Sequence, residues 1–186
     1  MILTYRYINN DDKISRAEIR KRQSESAIKL LFELLKDCGI EERTVARDKN
    51  GRPFLVGRDD VDFNISHSGQ LIVCALSVGE GRVGVDVEKS GTDLPPAHRE
   101  RFLKRFFAQT EMSEKSDLAK MWTENEAYLK YLGVGISEGI RPSDPYSDER
   151  VKIDNFYIGN YTVSVCTEKG ASVKLIPKTE PQAAEE

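Results

Sequence analysis

The sequence predicts a mixed α and β fold made of two similar halves, each a long helix followed by a pair of strands. Three observations predict it. Residues 15–38 place Ala27, Ile28, Leu31, Leu35 and Cys38 at helical spacing, and Gly39 follows as a C-terminal stop. Residues 117–132 place Leu118, Met121, Leu129 and Leu132 on a second apolar stripe, with Gly133 behind it. The stretch "NISHSGQLIVCALSVGEG" (64–81) also resembles "NFYIGNYTVSVCTEKG" (155–170): a strand, a glycine-bearing turn, then a strand with a cysteine. Helix then strand pair, occurring twice, reads as two lobes packed as a pseudo-dimer, residues 1–80 and 81–177, with a disordered tail expected over 178–186. A cleft between such lobes is the default place for a ligand.

Each element follows from local chemistry. Between the first helix and the first strand pair, "DKNGRPF" is a turn built on Asn50-Gly51, and Pro53 closes off the helical option. "VDFNISHSG" is a strand ending in a polar turn, and "QLIVCALSV" is a buried strand, short, β-branched and flanked by glycines. Ser116 or Asp117 is the expected N-cap of the second helix.

Composition excludes some classes of function. The chain has 186 residues and a formal net charge of −3, so nothing in the charge calls for nucleic acid. No apolar run approaches membrane-spanning length, and "MILTYRYINNDD" carries neither a basic n-region nor a signal-like core, so a cytoplasmic protein is expected. Cys38, Cys74 and Cys166 show no metal-ligand spacing and read as free thiols. The charge is unevenly placed: "KISRAEIRKR" (13–22) and "HRERFLKR" (98–105) are basic. Each suits a solvated helix face, a phosphate or an acidic partner protein.

Chemistry concentrates in two places. In "GVDVEK" (84–89) a strand sends Asp86 and Glu88 to one face and Val85 and Val87 to the other. Paired carboxylates repel unless water screens them or a cation lies between them. In "SDLAKMWTENEAYLKYLG" (116–133), Trp122, Glu126 and Lys130 are four residues apart and share one ridge. Glu126 and Lys130 could form a plain surface ion pair. If the ridge faces the strand, however, Asp86, Glu88 and Glu126 make a three-carboxylate group suited to a hard cation such as Mg²⁺. Ser66, His67 and Ser68 offer donors to a phosphate, and Lys49 and Arg52 flank the turn just before them. A metal-bridged phosphate ligand is as far as the residue types lead.

Taken together, "NGRPF", "FNISHSG", "GVDVEK", "RFFAQTE" and "WTENEAYLKYLGVG", in that order over roughly 49–135, resemble the 4′-phosphopantetheinyl transferases of the two-lobed, surfactin-synthetase-activating type. The resemblance implies an α+β fold, each lobe a long helix on a small, mostly antiparallel sheet, with the ligand in the cleft between lobes. It implies transfer of 4′-phosphopantetheine from coenzyme A to a serine of an apo acyl- or peptidyl-carrier protein, releasing adenosine 3′,5′-bisphosphate. On the same basis Asp86, Glu88 and Glu126 are Mg²⁺ ligands, with Mn²⁺ as a possible substitute. Glu126 deprotonates the carrier serine, and Lys130 contacts the pyrophosphate. Lys49, Arg52, Ser66, His67, Asp86, Lys130 and Arg22 contact coenzyme A. A monomer is expected, since the internal duplication supplies the second lobe, and the basic 98–105 stretch could meet an acidic carrier.

Two positions depart from the family pattern: Asn125 stands where Lys or Arg usually precedes the helix glutamate, and Val134 where a lysine often lies between the two glycines. They motivate an alternative, a weak or inactive homologue that binds coenzyme A or carrier without turnover. A carrier-independent hydrolase of nucleotide pyrophosphates is a third reading, supported by no motif.

Overall fold

The computed structural model describes residues 1–9, 15–91, 117–134 and 145–178. The stretches at 98–105 and 105–111, Ser116, Gly135 and the tail after residue 178 lie outside the described residues. In chain order the elements are β1 (Ile2–Tyr7), α1 (Arg16–Asp37), β2 (Val45–Arg47), β3 (Pro53–Leu55), β4 (Val61–Ser68), β5 (Leu71–Val78), β6 (Val83–Lys89), α2 (Leu118–Leu132), a 3₁₀ turn (Pro145–Ser147), β7 (Val151–Ile158), β8 (Tyr161–Glu168) and β9 (Lys174–Pro177). They form a four-stranded sheet ordered β4-β5-β1-β9, a three-stranded sheet ordered β6-β8-β7, and a small β2-β3 ribbon. Every pairing is antiparallel except β1 with β9, which run parallel.

Both helices end where their capping chemistry dictates. Ser15 caps α1 by accepting from Glu18 N at 3.2 Å, and Asp117 caps α2 by accepting from Lys120 N at 3.1 Å. Gly133 closes α2 in the left-handed conformation, with φ 73°.

Side-chain alternation stacks the molecule in four layers. On β4, Val61, Phe63 and Ile65 face α1, and on β5 Ile72, Cys74 and Leu76 do the same, meeting Ala27, Leu30, Leu31, Leu34 and Leu35 of the helix. The opposite face of that sheet, with Leu3, Leu71, Val73 and Ala75, packs on Val83, Val85, Val87, Val163 and Val165 of the three-stranded sheet. This is why β5 is apolar without a break from Leu71 to Leu76: both its faces are covered. The outer face of the three-stranded sheet carries α2, through Ala127, Tyr128 and Cys166 among others.

The β4-β5 and β7-β8 hairpins have the same frame, with Ser68 opposite Leu71 in one and Ile158 opposite Tyr161 in the other. Each turn is met by a tyrosine of the other sheet, Tyr161 of β8 at one and Tyr7 of β1 at the other. A Cβ on Gly69 would fall 2.7 Å from the Tyr161 hydroxyl, and a Cβ on Gly159 would fall 2.7 Å from the Tyr7 hydroxyl. Both glycines also have positive φ, 54° and 58°, so the turn and the close approach each demand glycine. Counted from these turns, Cys74 matches Ser164 and not Cys166, so the cysteines that linked the two stretches in the sequence are not equivalent. The last strand, β9, crosses back to pair with β1 in the first sheet.

Candidate functional site: carboxylates between two strands and a helix

The site forms where β4, β6 and α2 meet. On β6 the expected alternation holds: Val85 and Val87 are buried in the inter-sheet core, and Asp86 and Glu88 point the other way. Gly84 sets how closely α2 can lie on this strand. A Cβ there would sit 2.0 Å from Ala127 O and 2.5 Å from Tyr131 N, so the helix backbone rests directly on the strand. That contact brings Glu126 and Lys130, which flank Ala127 along the helix, over Asp86.

From the far side, Thr123 pins the same helix. Its hydroxyl shares a 2.7 Å hydrogen bond with the hydroxyl of Ser164, the residue opposite Asp86 in the β6-β8 register. Ser164 Oγ also donates to Asn155 Oδ1, and Asn155 Nδ2 donates to Glu124 Oε1, each at 2.7 Å.

The geometry around Asp86 is tight. Lys130 Nζ donates to Asp86 Oδ1 at 2.6 Å, to Ser66 Oγ at 3.1 Å and to Val85 O at 3.2 Å. Ser66 Oγ in turn donates to Asp86 Oδ1 at 2.7 Å, and Ser68 Oγ donates to Glu88 Oε2 at 2.9 Å. Asp86 Oδ2 is buried and has no hydrogen-bond partner, a costly condition for a carboxylate oxygen.

The neighbouring carboxyls feel one another. Burial, then the charges of Asp86 and Glu88, push the Glu126 pKa above its ordinary value against the opposing pull of Lys130. Burial and Asp86 push Glu88 up likewise, while the Ser68 hydrogen bond and Lys130 work the other way. The three carboxylates therefore share one local field. Among the described residues no group of three or more histidine, cysteine, aspartate or glutamate side chains is arranged to hold a metal ion as it stands.

The other anticipated residues fall into two sets. His67 stands at the exposed end of β4, where crowding by neighbouring atoms and the Lys130 ammonium lower its pKa. Lys49 is exposed at the β2-β3 turn, and Arg22 is exposed on α1 beside Glu18 at 3.5 Å. Arg52 is different, with a side chain only 8% exposed. It donates to Lys130 O, to Asp62 Oδ2 at 2.7 Å and to Val83 O at 2.9 Å.

A profile of the 4′-phosphopantetheinyl transferase superfamily matches residues 82–184, a span that includes Asp86, Glu88, Glu126 and Lys130. The chain belongs to this superfamily. It is 29% identical over 164 residues to a putative 4′-phosphopantetheinyl transferase, slr0495, of Synechocystis sp., covering 78% of this chain and 65% of that one. It is 34% identical over 106 residues to the 4′-phosphopantetheinyl transferase Sfp of Bacillus subtilis (52% and 43%). It is 31% identical over 127 residues to the 4′-phosphopantetheinyl transferase HetI of Nostoc sp. (58% and 52%). The chain thus spans between 43% and 65% of the length of these transferases.

Some of the residues that build this site escaped the motif reading. Asp62 Oδ2 accepts from Val83 N at 2.8 Å, and Asn64 Oδ1 accepts from Val85 N at 3.0 Å. These side chains take the place of a backbone ladder between the edges of the two sheets. The signal for them was present in "VDFNISHS": every second residue is polar, and all four of those side chains, Asp62, Asn64, Ser66 and Ser68, bond to β6.

Proposed function

We propose that this chain transfers the 4′-phosphopantetheine group of coenzyme A to a serine of an acyl- or peptidyl-carrier protein, with Mg²⁺ as the cofactor. The observation that carries the reading is the field shared by Asp86, Glu88 and Glu126, with the unpartnered Asp86 Oδ2 buried at its centre. Such an oxygen-only donor set fits a hard divalent cation, Mg²⁺ or in its place Mn²⁺. When bound, the cation neutralises charge on the coenzyme A pyrophosphate.

The chain's own groups have definable tasks. Glu126, whose raised pKa suits a proton acceptor, takes the proton of the carrier serine hydroxyl, directly or through a water. The serine oxygen forms a bond to the phosphorus that carries pantetheine, and the anhydride bond on the other side of that phosphorus breaks. Adenosine 3′,5′-bisphosphate departs with the electron pair, and its new charge is met by the Lys130 ammonium beside Asp86. Ser66 and His67 hold the 3′-phosphate, while Lys49 and Arg22 contribute positive charge toward the nucleotide. Coenzyme A lies between two lobes, 1–80 and 81–177, of a cytoplasmic monomer.

The test is intact-mass spectrometry of a purified apo-carrier incubated with the protein, coenzyme A and Mg²⁺, with EDTA as control. The expected outcome is the gain of one phosphopantetheine group, prevented by EDTA. Coenzyme A binding without any gain, over several carriers, would instead support a binding homologue without turnover.

A further inference from the structure

The carbonyls in the last turn of a helix have no partner within the helix and sit at the negative end of its dipole. At the end of α2 two of them, and the carbonyl of the capping residue Gly133, accept from side chains outside the helix. Arg52 Nη1 donates to Lys130 O, Arg82 Nη1 to Leu132 O at 3.2 Å, and Asn50 Nδ2 to Gly133 O at 2.8 Å. Two of the three are guanidinium cations, the charge that this helix end favours.

Arg52 does more than cap. Its Nη2 bonds Asp62 Oδ2 on β4 and Val83 O at the start of β6, and Asp62 Oδ2 also accepts from Val83 N. One buried side chain therefore ties together the three elements that carry the site: β4 with Ser66, β6 with Asp86 and Glu88, and α2 with Glu126 and Lys130. Its acceptor on the helix is the backbone of Lys130 itself, whose ammonium reaches Asp86. Both of its terminal nitrogens are engaged in this way. Its partner Asp62 also lies four residues along β4 from Ser66, about 13 Å of extended strand.

We propose that Arg52 is a positioning residue for α2, and that with Asn50 and Arg82 it clamps the C-terminal end of the helix so that Glu126 and Lys130 meet Asp86. It is not a ligand of the coenzyme A phosphates. The kinetic part of this inference rests on the transferase reading above; the structural part does not.

The decisive variant is Arg52→Lys, which keeps the positive charge but cannot reproduce a planar fork to three acceptors. Trp122 is the sole tryptophan and lies on α2, so its emission and quenching report the placement of the helix without any ligand. A clamp predicts that Arg52→Lys changes the Trp122 signal in the ligand-free protein. It also predicts that Asp62→Asn produces the same change and that the double variant adds little to either. In transfer assays kcat should fall roughly 10- to 100-fold with KM for coenzyme A within about twofold, the cost of a misplaced catalytic group. The preference for coenzyme A over 3′-dephospho-coenzyme A should stay as in the wild type.

An unchanged Trp122 signal, together with a raised KM or a lost 3′-phosphate preference, would overturn the proposal and make Arg52 a phosphate ligand. If Arg52→Lys does not fold, Asn50→Ala removes one outer contact and should move Trp122 in the same direction by less; no movement there would count against the clamp. If the wild type transfers nothing, the transferase reading fails, and the Trp122 measurements still decide the clamp.

Discussion

The two helices are held to their sheets by opposite means. α1 buries Ala27, Leu30, Leu31, Leu34 and Leu35 against Phe63, Ile72, Cys74 and Leu76, an apolar interface worth most of its stability to packing. α2 buries Thr123, Glu124, Asn125 and Glu126 along with Ala127, Tyr128 and Leu129. Its attachment relies on the bare backbone of Gly84, the Thr123–Ser164 hydrogen bond, and the cations on its C-terminal carbonyls. Buried polar groups cost stability unless each finds a partner. α2 bears that cost over four consecutive residues where it presents Glu126 and Lys130, whereas α1 buries a single polar side chain, Gln23, which donates to Gly69 O at 2.9 Å, and serves as scaffold.

The sharpest way to break this comparison is to change one residue on each helix. Glu126→Gln should lower the transfer rate by roughly 10²–10⁴-fold, the usual contribution of a positioned base, while leaving thermal stability unchanged or raised. Stability should not fall, because the substitution removes a charge that burial and two neighbouring carboxylates disfavour. Leu34→Ala on α1 should do the reverse: a loss of about 2–5 kcal/mol in urea denaturation with kcat per folded molecule kept. If Leu34→Ala lowered kcat without lowering stability, the division between scaffold and working helix would be wrong.

Gly84→Ala sharpens the comparison from the strand side. Its new methyl group collides with helix backbone, which cannot rotate away as a side chain would. The expected cost is about 1–3 kcal/mol, accompanied by a changed Trp122 emission as α2 is pushed outward. An unchanged emission would mean that α2 does not rest on β6 in solution as described.

What the sequence revealed of this arrangement follows the same division. The end of α1 was legible from Gly39 because capping is local chemistry, and so was the split of "GVDVEK" into core valines and site carboxylates. The buried face of α2 was legible only in part. Hydrophobic periodicity pointed to Leu118, Met121, Leu129 and Leu132; Leu118 and Leu129 are buried and Met121 and Leu132 half-buried, while Thr123 to Glu126 are inside as well, because hydrogen bonds and a glycine help decide the helix's seat. β1 and β9 were missed because they pair across nearly the whole chain, and short strands of that kind carry no local signal. The basic residues were legible as charges but not by role: Lys49 and Arg22 are exposed, whereas Arg52 is buried among three acceptors. Asn125, noted as a missing positive charge, is itself buried, at 3% exposure.

The smallest expected effect separates the two helices by pH. Glu88 and Glu126 both have folded pKa values above the ordinary 4.5, with burial as the first cause in each. Below 4.5 both carboxyls are protonated in the folded and unfolded chain, and the stability linked to them is fully present. As the pH rises through the raised folded values, the unfolded chain has already released its protons, and that stability is lost. At neutral pH the ionised group therefore opposes folding, and a divalent cation that binds only the folded site offsets the loss by mass action. The cation must displace protons from the group at low pH, so Mg²⁺ should raise the melting temperature more at about pH 7.5 than at about pH 5. In Glu126→Gln both the Mg²⁺ increment and its dependence on pH should shrink, whereas in Leu34→Ala they should persist on a lower baseline. Equal increments at the two pH values, or a Glu126→Gln protein that responds like the wild type, would remove the carboxylates from cation binding.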